Sequence, residues 1–127
     1  MQYMLLIYGE PGRWEQLSSE DQETMTREYM ELGRRPETRG GADLGDLSSS
    51  TTVRVNNGET LTTDGPFAET KEFLGGFYLI ECDTIDEAIE FASKIPAART
   101  GGAIEVAARI PAARMGGSVE VRPIVER

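Results

Sequence analysis

The chain has 127 residues, enough for one hydrophobic core but not for a catalytic domain plus a separate binding domain. Its 22 acidic against 13 basic side chains give a formal net charge of -9, which repels phosphate backbones and anionic membrane surfaces, so no nucleic-acid partner is expected. With His 0 and Cys 1, the sequence excludes Ser-His-Asp and Cys-His catalysis, imidazole metal sites and an intrachain disulfide; no metal and no cofactor is expected.

Tyr3-Met4-Leu5-Leu6-Ile7-Tyr8 is apolar at both parities and is ended by Gly9, Pro11 and Gly12, which predicts a central strand covered on both faces. The run is too short for a membrane span or a signal-peptide core, so a cytoplasmic location without a membrane partner is expected. Leu17-Ser18-Ser19-Glu20-Asp21 then supplies a serine N-cap and first-turn acids for a helix over residues 19–32, with Met25, Tyr29 and Leu32 on one face. Residues 33–50 hold Pro36, Gly40-Gly41, Gly45 and Ser48-Ser49-Ser50 and read as a mobile loop, or at most a short edge strand. Thr51-Thr52-Val53-Arg54-Val55 and Glu59-Thr60-Leu61-Thr62 flank Asn56-Asn57-Gly58 and predict a hairpin. Gly75-Gly76 opens a second two-faced strand that runs to Cys82, whose side chain is expected to be small and buried. Thr84-Ile85-Asp86-Glu87 fits a capping box, and Ile85, Ala88, Ile89 and Ala92 form a helical stripe that stops at Pro96. Ser118-Val119-Glu120-Val121-Arg122 alternates before Pro123 as a half-buried strand near an edge would.

This order predicts an α+β, ferredoxin-like antiparallel sheet with two main helices on one face. Two helices cover one face only, yet at least two strands are apolar on both. A homodimer through the sheet is the simplest cover for what is otherwise a large exposed patch, and a charge at Leu5 or Ile7 is expected to dissociate or unfold it.

Asp64-Gly65-Pro66-Phe67-Ala68-Glu69-Thr70-Lys71-Glu72, with Leu74-Gly75-Gly76-Phe77-Tyr78 after it, resembles the signature of the DGPF-domain branch of the YCII-related family. The opening strand, the hairpin, Ile95-Pro96-Ala97-Ala98-Arg99 and Val119-Glu120-Val121-Arg122-Pro123 resemble it too, so the likeness covers most of the chain. It implies a dimeric α+β barrel in which two ferredoxin-like sheets face each other around a cavity. Some YCII-related proteins resemble lactone isomerases or dehalogenating enzymes with a His-Asp dyad, whereas the DGPF branch resembles companions of extracytoplasmic-function sigma factors. Without a histidine the dyad cannot be completed here, and Asp64 is the one motif carboxylate carried over as a polar group of the cavity.

The candidate ligand-binding residues are Asp64, Tyr8, Arg13, Phe67 and Tyr78, with Asp64 also the candidate acid or base. Each has a structural reading beside it. Asp64-Gly65-Pro66 also makes a turn, aromatic residues on two-faced strands are more often core, and Arg13 with Trp14 is a single pair that would clamp an anion only at a cavity mouth. The leading function is a small-molecule-binding or regulatory dimer. The alternative is a lactone-isomerase-like or dehalogenase-like enzyme with Asp64 as lone acid/base, and a third is a partner-binding regulator that holds no small molecule. Asp64 pointing into a dimer cavity supports the first two, and a solvent-exposed Asp64 supports the third.

The chain reads as one domain over 1–127 with a tandem duplication: Ala88-Ile89-Glu90-Phe91 to Gly101-Gly102 is repeated by Ala103-Ile104-Glu105-Val106 to Gly116-Gly117. Ala103-Ile104-Glu105-Val106 suits a helix opening or a terminal strand. Because Ala107-Ala108-Arg109 are good helix formers, the expectation is that residues 118–122 enter the sheet while 103–109 form an extra helix or an irregular insertion.

Overall fold

A computed structural model describes residues 1–66, 71–108 and 119–121. The elements are β1 (Gln2–Gly9), α1 (Ser19–Gly33), β2 (Thr38–Asp43), β3 (Thr51–Asn56), β4 (Glu59–Asp64), β5 (Phe73–Glu81), α2 (Ile85–Ser93), α3 (Pro96–Arg99), β6 (Ala103–Ala108) and β7 (Val119–Val121). A four-stranded sheet has the order β2-β5-β1-β6, and its neighbours are all antiparallel. With α1 between β1 and β2 and α2 between β5 and β6, this is the ferredoxin-like arrangement. The β3–β4 hairpin is inserted between β2 and β5 and belongs to a second sheet of order β4-β3-β7.

Local chemistry sets the boundaries. The Ser18 hydroxyl accepts from the Asp21 N–H at 3.1 Å, and Glu20 and Asp21 lie in the first turn of α1, where the helix dipole favours negative charge. The Thr84 hydroxyl accepts from the Glu87 N–H at 3.3 Å and starts α2. Asn57 (φ 51) and Gly58 (φ 77) both adopt the left-handed conformation, which matches the twist of the β3–β4 hairpin as a primed turn does.

The core lies between the four-stranded sheet and the helices. Leu5 and Ile80, both 0% exposed, with Tyr3 and Tyr78 beside them, meet Leu32 of α1 and Ala88, Phe91 and Ala92 of α2. The α2 stripe is turned from the expected one: Ala88, Phe91 and Ala92 face the sheet, while Ile85 and Ile89 are each 52% exposed. The large Phe91 ring sets this orientation by packing edge-on to Tyr78 at 5.6 Å between centroids, with the Arg35 guanidinium 5.4 Å over the ring. Cys82 is half-buried rather than fully buried. Its thiol donates to the Thr84 carbonyl at 3.4 Å, and desolvation, followed by the Glu87 charge, pushes its pKa up and keeps it protonated.

Residues 33–50 contain the edge strand β2, so for Thr38–Asp43 the edge-strand alternative holds in place of the loop reading, because β2 pairs with β5. The duplication resolves against expectation: Ala103–Ala108 is the strand β6 on β1, with Ile104 opposite Ile7 and Val106 opposite Leu5. Val119–Val121 instead pairs with β3 in the second sheet. The helix propensity of Ala107-Ala108 gives way because Ile104 and Val106 fill the flank of the core beside Leu5 and Ile7.

The Tyr78 hydroxyl donates to the Tyr29 carbonyl at 2.6 Å, and burial pushes the phenol well above the usual tyrosine range. Tyr29 shifts upward as well, first through burial. A phenol raised in the folded state contributes stability that is complete below the unfolded pKa of about 10 and is lost as pH rises through the folded value. Urea midpoints are therefore expected to hold steady to about pH 10 and to fall beyond it. Tyr78→Phe, at a cost of about 1 kcal/mol at neutral pH, should flatten part of that fall.

Candidate functional site

Parity along β1 and β5 separates two faces. Tyr3, Leu5, Tyr78 and Ile80 face the helices, so Met4, Leu6, Phe77 and Leu79 face the other way, Met4 opposite Leu79 and Leu6 opposite Phe77. Among the described residues no helix packs on this second face, Met4 is 37% exposed, and Glu105 of β6 stands opposite Leu6. Leu5 and Ile7 belong to the helix side. The sheet therefore presents an apolar strip with one acidic group at its β6 side.

Tyr8 is half-buried near the end of β1, just past a register shift, opposite Leu74 on one side and Ala103 on the other. The chain then turns through Glu10 and Arg13. Lys71 and Arg13 each lie 3.4 Å from the Glu10 carboxylate and together hold its carboxyl below the usual range, Lys71 having the larger effect. Both pairs are exposed and stabilise the fold little. Arg13 also donates to the Thr100 carbonyl, and its guanidinium lies over Gly101. A Cβ at Gly102 would strike the Tyr8 carbonyl and come within 3.0 Å of the Ala97 carbonyl, so the α3–β6 junction packs tightly on the end of β1. Arg13 thus straps the β1–α1 connection to the α3–β6 junction.

Asp64 ends β4 opposite Thr51 and is exposed. Behind it Gly65 adopts φ 98, its N–H donates to the Ser50 carbonyl at 2.8 Å, and its carbonyl accepts from the buried Thr52 hydroxyl at 2.9 Å. Asp64-Gly65-Pro66 is therefore a pinned turn. Tyr78 points into the helix-side core, with its hydroxyl already bonded to Tyr29. Phe67 lies outside the described residues. Of the candidates, Tyr8 and Arg13 both border Gly101-Gly102 at one end of the four-stranded sheet, while Asp64 belongs to the second sheet and Tyr78 to the core. Sequence reasoning missed Glu10 and the cationic role of Lys71. The only signal was their opposite charge, which spacing does not resolve across 61 residues of chain.

Two surface concavities lie elsewhere. One runs along the outer side of α1 beside Gln22 and the exposed Trp14 and Met30, and the other lies between Arg35, Glu81, Cys82 and Phe91. Among the described residues no three Cys, Asp or Glu side chains converge as metal ligands, and no helix is long and apolar enough to cross a membrane.

Residues 1–104 match the YCII-related domain family. The chain is also similar to an uncharacterized protein of Rhizobium meliloti (strain 1021), 38% identical over 102 residues that cover 77% of this chain and 82% of the relative.

Proposed function

From the premise that the chain belongs to the YCII-related family, we propose that it acts as a cytoplasmic homodimer of the DGPF type that regulates by binding, with no complete catalytic dyad. The observation that carries this reading is the apolar strip Met4, Leu6, Phe77 and Leu79 on the face the helices leave uncovered. Two such strips apposed bury apolar area at about 25 cal/mol per Å² and enclose a space between the sheets. The absence of histidine leaves a lone carboxylate without the base a dyad needs, which argues for binding over turnover. The exposure of Asp64 favours contact with a partner, the regulatory form of this reading, over a base held in a dry pocket.

Light scattering at micromolar concentration is expected to report a dimer, and a stable monomer overturns the reading. Asp64→Asn keeps a side-chain acceptor in the turn and removes the charge, so its melting temperature should stay within a few degrees of the parent. In a screen of small acids, lactones and phenols, any ligand that contacts Asp64 should lose about tenfold in affinity. Equal binding by both proteins removes Asp64 from the function. Turnover of a lactone by the parent, lost in Asp64→Asn, would establish the enzyme alternative in its place.

A further inference from the structure

The duplication gives the chain two segments that carry the sequence pattern of β6. In the structure the outer slot on β1 is held by β6, and what the slot requires is specific. It is entered through Gly102, where a Cβ would meet the Tyr8 and Ala97 carbonyls. It takes apolar side chains opposite Ile7 and Leu5, supplied by Ile104 and Val106, and an exposed Glu105 opposite Leu6. Gly116-Gly117-Ser118-Val119-Glu120-Val121 repeats this pattern position by position, with the same parity and the same glycine at the entry. Upstream, Ile95-Pro96-Ala97-Ala98-Arg99, which contributes the fully buried Ile95, recurs as Ile110-Pro111-Ala112-Ala113-Arg114. The Thr84 cap of α2 precedes the repeat, so α2 starts identically in either arrangement.

We propose that the chain exchanges between two registers offset by the 15 residues of the repeat: one with Ile104 and Val106 on β1, the other with Val119 and Val121 in their place. The second register places the 15 residues of one repeat ahead of the strand in the chain, and lengthening a connection costs little entropy. The first register is favoured because Ile104 fills more of the core flank than Val119, and because Ala107-Ala108 extends the strand where the second copy has Arg122-Pro123. Edge strands accept proline and arginine, so the second register is weaker without being forbidden.

The exchange couples the two sheets. Val119–Val121 pairs with β3 in the first register and must leave it to reach β1. Anything that occupies the β3 edge in place of β7 therefore shifts the population toward the second register, and anything that holds β6 on β1 shifts it back.

Cysteine pairs read the registers directly. In a Cys82→Ser background, Ile7→Cys with Ile104→Cys places two thiols on directly opposed residues, where a disulfide fits. Ile7→Cys with Val119→Cys can close only when the second strand visits β1. The first pair is expected to link at once under mild oxidant and the second more slowly, within single molecules as judged by peptide mapping of mixed isotope-labelled protein. Adding Ile104→Asp and Val106→Asp disables the first strand and should accelerate the Val119 linkage about tenfold or more. If the Ile7–Val119 pair stays unlinked in both backgrounds while Ile7–Ile104 links, or links only between different molecules, the chain has one register and the proposal falls. The outcome does not depend on any ligand or on dimerisation.

Discussion

Leu5→Glu is expected to unfold the protein, whereas Leu6→Lys, one residue further along β1, is expected to leave a folded monomer. Leu5 is 0% exposed and packs on the helix side against Tyr78 and its neighbours, so a carboxylate there is buried without a partner. The penalty of several kcal/mol consumes most of the 5–15 kcal/mol that holds a domain of this size together. Leu6 points to the open face opposite Phe77 and Glu105. In the single chain a lysine there keeps water on one side and gains a cross-strand partner in Glu105, which offsets the lost apolar contact. Between two apposed sheets the same ammonium would be desolvated, so the assembly and not the fold is lost. Circular dichroism melts and light scattering on the two variants separate the effects. A Leu6→Lys protein that remains dimeric would move the interface elsewhere.

Gly41→Val is expected to detach β2 from the sheet and destabilise the fold by about 2–3 kcal/mol. A Cβ at this position would lie 2.8 Å from the Phe77 carbonyl and 3.0 Å from Cδ1 of Tyr78. The first is backbone in the middle of a paired strand and cannot yield. The second belongs to a ring wedged edge-on against Phe91, so moving it disturbs the core. Hydrogen exchange should show faster amide loss in residues 38–43 than in β1, and Gly40→Val, where a Cβ meets nothing within 4 Å, serves as the control that leaves exchange nearly unchanged.

That contrast also explains what could be read from residues alone. The hairpin around Asn57-Gly58 and the caps at Ser18 and Thr84 were legible because each depends on a bond between near neighbours. β1 and β5 were legible because apolar residues fill both parities. β2, Thr38–Asp43, was not recognisable as more than a loop or edge, since Thr38 is its one β-branched residue, and Gly41 is required by the Phe77 carbonyl and the Tyr78 ring, far along the chain. The α2 stripe was misplaced by part of a turn because periodicity alone cannot weigh Phe91 against Ile85 and Ile89. Assigning 103–109 to a helix failed for a related reason: near-identical copies carry similar local preferences, and contact with Leu5 and Ile7 is what holds 103–108 in the sheet. At the candidate site, the turn at Asp64-Gly65-Pro66 could be read from its residue types. The strap of Arg13 over Gly101 could not, because it joins loops at opposite ends of the chain.

The aromatic residues are divided in a way that governs how the molecule can be observed. Tyr29, Tyr78 and Phe91 form a stacked and edge-on series in the core, while the one tryptophan, Trp14, sits 38% exposed in the connection ahead of α1. Indole emission, the usual optical reporter of unfolding, already comes from a wet environment in the native protein and should shift only slightly in denaturant. The near-ultraviolet dichroism of tyrosine, which arises from rings fixed in an asymmetric setting, should carry most of the signal and vanish when the Tyr78–Phe91 contact opens. Trp14 emission will respond instead to events at the mouth of the β1–α1 connection, so the two chromophores report on different parts of the same chain.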